Sequence, residues 1–435
     1  MDRFFIFCIN STKYGILSLM IKRVATKILV IIICFSVIYF SSVSTAFAQD
    51  KTRLVFLVDG KEVLNFCDEN FEPNNHIEYE EIRDRGINGS AKDKSDAIKR
   101  QLEDGKTFKQ AVLYCYPSMN KIVSQVIKNS YLAPKESEIT FYPNERISFK
   151  ITMEKDGKRV EASELYEKIA NAVILGKDEV CVNTKEVKPV VTAKDNESLT
   201  FRRAIFSTDA SNSSIERKHN IALALSKING SVIEHGESFS FNEKVGKRSE
   251  ENGFKTAKII VDGEYVDGVG GGVCQASTTL YNCALLSDLS VSKVSGHSLR
   301  PSYVAPSFDA MVNSGSSDLV FKNETGGKVF IKSCFKNGRA VVEIYGKKNE
   351  YEIERKSVTT FVGEIPLDEI EEEETDIVEE IGMQKRVSYG QGVTKSEGYL
   401  VYYKNGKKTS EKLIRKDSYR KKAGKIIKKV ESKKI

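Results

Sequence analysis

Apolar and polar positions alternate with a period of two over Arg53 to Val58, and the pair Asp59-Gly60 follows, which predicts a strand opening a hairpin. From Asp93 to Asn129 the spacing becomes helical, in pieces interrupted at Gly105 and Pro117. Strand alternation returns over Glu138 to Tyr142 and Arg146 to Met153, with a turn expected at Asp156-Gly157. Ser163 is placed as an N-cap for a helix whose Leu165, Tyr166, Ile169, Ala170, Val173 and Ile174 recur on one face as core. Lys185 to Ser198, with Pro189 and scattered charges, reads as a linker.

A second unit begins near residue 200. Ser213 and Ser214 are positioned to cap a helix over Ile215 to Ile228, and Asn229-Gly230 is a normal stop. Phe239 to Asn242, Thr256 to Val261 and Leu289 to Val294 read as strands. Asp318 to Asn323, Lys328 to Phe335 and Arg339 to Tyr345, separated by Gly326-Gly327 and Asn337-Gly338, predict a β-meander. Beyond residue 350 come short strands, an acidic stretch with nine Asp or Glu in the fourteen residues Leu367 to Glu380, and a strand, Tyr399 to Tyr403, running into Asn405-Gly406. That module has a thin core. Its Tyr389, Tyr399, Tyr402, Tyr403 and Tyr419 fit ordinary strand packing better than stacking on sugar rings. The fold class expected is α+β multidomain: 1–48 a signal peptide or anchor, 50–185 an α+β domain, 200–346 an α+β domain with the meander, and 350–432 a small extended β domain with a basic tail.

Composition changes this picture at three points. Ile28 to Phe40 is an apolar run of 13, preceded by Lys22, Arg23 and Lys27 and followed by Ala46-Phe47-Ala48, the layout of a secretory signal with cleavage after Ala48. A start at Met20 rather than Met1 gives that signal an ordinary length; an uncleaved anchor is the alternative, and both place the remainder outside the cytoplasm. The net charge of +7 is a property of the C-terminus, because Lys404 to Ile435 carries 14 Lys or Arg against 3 Asp or Glu. A solvated end is the ordinary meaning of such a run, attraction to an anionic wall polymer or membrane surface the other, and nothing in it suits nucleic acid. Six cysteines remain after residue 48, too few for a disulfide-held scaffold, and no spacing suggests a metal site or a cofactor.

One segment carries candidate chemistry. Gly268 to Gly272 leads into Val273-Cys274-Gln275 at the start of an apolar helix, where backbone N–H groups and the helix dipole lower a thiol pKa and glycines let a substrate approach the backbone. The N–H groups of Cys274 and Gln275 are placed for an oxyanion. His297 and Asp309 follow, in the chain order Cys, His, Asp of many thiol acyl-transfer enzymes. A buried packing cysteine, or a non-catalytic ligand loop, fits the same residues. Cys283 and Cys334 read as core cysteines, and His76, His219 and His235 as surface or satisfied residues.

Phe239-Ser-Phe-Asn242, Gly246-Lys-Arg248, Asn252-Gly-Phe254, Gly270-Gly-Gly-Val-Cys-Gln-Ala-Ser-Thr-Thr-Leu-Tyr-Asn282, His297-Ser298, Pro301-Ser-Tyr303, Phe308-Asp309-Ala310 and Asp318 to Asn323 together resemble the VanW family, over about residues 210 to 346. The family takes its name from an accessory gene of vancomycin-resistance clusters, and its members are commonly envelope proteins of Gram-positive bacteria. Residues 51 to 185 look like the peptidoglycan-binding domain that often precedes such segments. Residues 350 to 432 are similar to G5 modules, proposed to bind N-acetylglucosamine-containing polymers. The resemblance implies a secreted or wall-associated protein with peptidoglycan or another wall polymer as partner. The resemblance assigns no chemistry to Cys274; on the reading of the residues as a thiol enzyme doing acyl transfer or amide hydrolysis on wall peptides, Cys274 is nucleophile, His297 base and Asp309 the group orienting it, with Gln275 near the oxyanion. Gly270, Gly271, Gly272, Ser277, Thr278 and Tyr303 are the expected substrate contacts. The alternative is a non-enzymatic wall-binding protein.

Overall fold

The computed structural model describes residues 52–67, 79–261, 264–372 and 375–431. The N-terminal apolar run, its cleavage site and His76 lie outside them. Among the described residues no helix is long and apolar enough to cross a membrane. The chain divides into two compact units, one made of residues up to Ala133 with Gly157–Val187, the other of Pro134–Asp156 with Lys188–Ile435.

In the first unit Arg53–Val58 and Lys61–Cys67 form the expected hairpin, with Asp59 and Gly60 both at positive φ as its tight turn requires. Glu179–Val182 joins Arg53–Val58 in parallel. Helices Ala91–Glu103, Phe108–Cys115, Met119–Ser130 and Ala162–Leu175 bury Ile98, Val112, Met119, Leu165 and Ile169 with Leu54 and Phe56 of the sheet. Three expectations shift. Glu161, not Ser163, is the N-cap of the last helix. Gly157 opens a strand, Gly157–Arg159, paired with Lys185–Val187, in place of a turn. Residues 185–198 are ordered: a Thr192/Asp195 capping box starts the helix Ala193–Glu197, a signature that Pro189 and the charges around it obscure.

In the second unit the helix Ile215–Ile228 starts where expected, its N-cap Ser214 accepting from Arg217 N–H at 3.2 Å. Phe239 to Asn242 splits into a strand, Ser238–Ser240, and a short helix, Phe241–Val245, capped by Ser240. The three strands expected as a meander belong to two sheets. Val320–Lys322 lies between Ser238–Ser240 and Ser290–Lys293, whereas Val329–Lys336 and Arg339–Gly346 pair with each other and with Val232–Ile233 and Phe201–Asp209. Asn323 makes the crossing: its buried amide donates to Ile233 O, Glu234 O and Gly327 O, spending the side chain where ladder bonds stop. Against these sheets lies the helix Val273–Leu286, buried along nearly all its length, with Ala276, Leu280 and Cys283 in one core with Leu225, Phe241, Phe308, Phe321 and Val342. Cys283 is thus a core residue, as expected. Cys334 is exposed, because the alternation along Val329–Lys336 turns Val329, Ile331 and Ser333 inward and the next position out.

The last eighty residues are not a separate thin module. Glu352–Val362, Thr394–Lys404 and Lys407–Tyr419 form an antiparallel sheet whose Leu400 enters the same core, with Ile353, Tyr402 and Ile414 beside it. The basic end is no solvated tail where it is described. Gly424–Lys429 lies between the acidic strand Leu367–Glu372, in parallel register, and Gln384–Ser388, and its Lys428 Nζ lies 3.8 Å from Glu371 Oε1.

Candidate functional site

Cys274 occupies the second position of its helix, so its N–H is one of the orphan donors of the first turn. Gln275 N–H is already spent on Gly272 O at 2.9 Å, because the turn opens with a tighter i to i+3 bond, and this removes one of the two oxyanion donors expected. The glycines are conformational necessities. Gly270 (φ 88°) and Gly272 (φ 107°) are left-handed, and a Cβ on Gly271 would sit 2.7 Å from Lys258 O and 2.8 Å from the Ala257 carbonyl. Gly271→Ala is expected to cost about 1–3 kcal/mol through that overlap; an unchanged melting temperature would contradict the close approach.

At helical spacing, Cys274, Thr278 and Asn282 share one face, with Ser277 beside them. Ser277 Oγ donates to Ala310 O at 2.6 Å, Thr278 Oγ1 accepts from Ala310 N–H at 2.9 Å, and Asn282 Nδ2 donates to Phe308 O at 2.8 Å. These bonds hold the backbone on both sides of Asp309. Ser277 and Thr278, expected as substrate contacts, are instead fully buried supports, since their hydroxyls would be orphaned without these carbonyls and N–H groups. Met311 N–H donates to Ser295 O at 2.8 Å, which draws the His297 segment alongside. Asp309 Oδ2 then accepts from His297 N–H at 2.7 Å and lies 2.6 Å from His297 Nδ1. That pairing leaves Nε2 as the nitrogen for Cys274, whose sulfur hydrogen-bonds with the imidazole and lies 3.3 Å from Val312 O.

The electrostatics follow from this chain. Burial pushes the Cys274 thiol up, but the hydrogen bond and charge of His297, with Arg248 nearby, outweigh it and bring it below the ordinary thiol range. Burial lowers His297, yet Asp309 and Cys274 together raise it to about 9. Asp309, despite burial, is held down at about 2 by His297 and Arg415. Both shifts favour the thiolate–imidazolium form of the pair over the neutral one. Tyr303 reaches Thr278 with its hydroxyl, and burial and the Cys274 charge push its phenol up. Cys274, half-buried, opens on a cleft of about 1010 Å³ lined also by His297, Arg217, Arg248, Tyr303 and Asn313. Gly270 and Gly272 reach this cleft; the Gln275 side chain is committed to Thr208, Asp209 O and Arg217. Among the described residues no group of three or more His, Cys, Asp or Glu is placed to hold a metal ion.

A family model described as VanW like protein matches residues 216–345. This chain carries a VanW-like domain. Over 129 residues it is 38% identical to the uncharacterized protein YoaR of Bacillus subtilis (strain 168), covering 30% of this chain and 43% of that protein. Over 111 residues it is 31% identical to the vancomycin B-type resistance protein VanW of Enterococcus faecalis (strain ATCC 700802 / V583), covering 24% and 40%. The chain thus spans about two fifths of the length of either relative. Among solved structures, HP0197-G5 aligns with 18% of this chain and 99% of its own at 15% identity and a TM-score of 0.11.

The match spans Cys274, His297 and Asp309 and most of the cleft that Cys274 and His297 line, the remainder coming from Asp209–Ser213 just before it. Sequence reasoning missed two groups that lie outside the match. Arg415 Nη2 donates to Asp309 Oδ1 and Tyr419 Oη to the same oxygen, at 2.6 and 2.7 Å. Tyr419 is thereby buried and not available to a sugar, whereas Tyr389 is exposed. Arg355 hydrogen-bonds Asn282 Oδ1 and stands over the rings of Phe206 and Phe308. His219 and His235 are satisfied by Gly253 O and Gly326 N–H, as expected.

Proposed function

We propose that the VanW-like domain is a thiol acyl-transfer or amide-hydrolysis enzyme acting on peptide stems of the cell wall, in a protein exported to the envelope. One observation carries the reading: Cys274 and His297 line an open cleft, and the imidazole is held from behind by the buried Asp309 carboxylate at 2.6 Å. The Cys274 sulfur attacks a peptide carbonyl, forming the C–S bond. His297 Nε2 gives its proton to the amine as the C–N bond breaks, and the amine leaves. Water or a second amine then attacks the thioester, His297 takes its proton, and the thiolate is released. Asp309 holds the imidazole in the tautomer and orientation both steps need. The wall as target, the export signal and the glycan-binding flanks rest on the VanW resemblance, the apolar run before Ala46-Phe47-Ala48 and the name of the Enterococcus relative.

The test is site-resolved iodoacetamide labelling of the folded protein across pH. Cys274 is expected to label with a midpoint well below the roughly 8.5 of a free thiol, while Cys115 and Cys283, pushed up by burial, stay protected. Protection of Cys274 at every pH would instead make it a packing residue and the domain a wall-binding module. Turnover should carry an alkaline limb near 9, where the His297 imidazolium that protonates the leaving amine is lost.

A further inference from the structure

We infer that Arg415 and Tyr419, on the strand Lys407–Tyr419, are positioning residues of the cysteine site. They hold one oxygen of Asp309 so that the other serves His297, which makes the C-terminal sheet a working part of the VanW-like domain's chemistry. The inference rests on the acyl-transfer reading above and adds to it a part of the chain beyond the family match.

Four donors account for the Asp309 carboxylate. Oδ2 takes His297 N–H and the imidazole; Oδ1 takes Arg415 Nη2 and Tyr419 Oη. A carboxylate free to turn about its last torsion would present Oδ2 to the imidazole only part of the time, and the two donors on Oδ1 remove that freedom. Arg415 is itself fixed, its Nε donating to Asp417 Oδ2 at 2.7 Å and its Nη1 to Asp309 O at 2.6 Å. Tyr419 Oη also accepts from Ser307 N–H at 2.7 Å, so it ties the carboxylate to its own loop. The contact extends to both ends of the histidine segment: Arg420 N–H donates to Ser298 O at 2.7 Å, and a Cβ on Gly296 would lie 2.7 Å from Asp417 Oδ1. Asp309 and Tyr419 are buried and Arg415 and Asp417 nearly so, where charge-assisted bonds are strong and competing water is excluded. The charged and titratable groups facing Asp309 are His297, Tyr281, Arg415, Asp417 and Tyr419, with Cys274 beyond the imidazole and Tyr303 and Arg248 beside the sulfur.

The experiment uses the full mature chain and three variants: Arg415→Gln, Arg415→Lys and Tyr419→Phe. Two quantities are read for each, the pH midpoint of Cys274 alkylation and the low-field proton resonance of His297 Nδ1–H, alongside the thermal melt. Tyr419→Phe, which removes one hydroxyl and keeps the ring, is expected to melt cooperatively yet raise the midpoint by about one pH unit, roughly tenfold in thiolate at acidic pH. Arg415→Gln should raise it further, and Arg415→Lys, which keeps the charge but not the fork, should recover only part. In each variant the His297 proton should move upfield as its bond to Asp309 loosens. Folded variants with the parental midpoint and resonance would overturn the inference and leave the acyl-transfer reading standing. Should Arg415→Gln not fold, Tyr419→Phe decides. An ordinary midpoint in the unmodified chain would overturn the acyl-transfer reading, and the histidine resonance in Tyr419→Phe would still decide whether the C-terminal sheet positions Asp309.

Discussion

Cys274→Ala is expected to reduce turnover of peptidoglycan-derived peptides by a factor on the order of 10⁶, the scale on which removal of a covalent nucleophile acts when it works as one unit with its base. The effect on the fold should be small. The sulfur is half-buried at the cleft and its partners are Val312 O and the His297 imidazole, which keeps Asp309, so its removal should cost about 1–3 kcal/mol. A decisive companion measurement is intact-protein mass spectrometry after mixing with such peptides. The unmodified chain should carry an acyl adduct at Cys274, and the alanine variant none. Residual turnover within tenfold of the parent would remove Cys274 from the reaction.

Asp309→Asn is expected to hurt both chemistry and stability. An amide presents one acceptor and one donor where the carboxylate presents two acceptors, so its NH₂ must face either the imidazole N–H or Arg415 and Tyr419. With the wrong tautomer at His297, turnover should fall by about 10⁴. With one of its two carboxylate partners gone and only Asp417 left, Arg415 loses a charge-assisted bond, and stability should fall by about 1–3 kcal/mol. The pH dependence has a definite sign. The Asp309 carboxyl, ordinarily at 3.8, sits at about 2 in the fold, so its stabilisation is present above about 4 and is lost as pH falls through 2. His297 is raised to about 9, so its share is complete below about 6.5 and is lost as pH rises through 9. Melting temperatures of parent and variant should therefore differ most between pH 4 and 6.5, converge as pH falls through 2, and draw closer without meeting above 9, where the Arg415 pair persists. A difference that stays constant from pH 2 to 9 would contradict the paired charges.

Local signals in the sequence were sufficient for much of this arrangement. Ser214 and Asn229-Gly230 bound a helix to the residue because cap and stop chemistry are read within one turn of the backbone. The glycine run before Cys274, with His297 and Asp309 downstream, was legible because each residue type is uncommon and chemically pointed. What could not be read is what depends on long-range pairing. Val320–Lys322 alternates like its neighbours, and nothing in its own residues says that it joins a different sheet. Ser277 and Thr278 carry hydroxyls suited to a ligand or to a carbonyl, and only burial against Ala310 decides between them. Arg415 sits among many basic residues of the C-terminal stretch, where charge alone gives it no distinction, and Tyr419 looked like any strand tyrosine.

The carboxylate that steadies the imidazole is clamped from a strand whose arginine follows it by 106 residues. A polypeptide emerges N-terminus first, so Cys274, His297 and Asp309 are all synthesised well before the partners that lock them. Until the sheet of Glu352–Val362, Thr394–Lys404 and Lys407–Tyr419 closes over residues 296–309, Asp309 Oδ1 lacks both of its donors, Arg415 and Tyr419. The clamp on the proposed site is therefore among the last parts of the domain to be put in place, and a chain cut short before residue 415 lacks it.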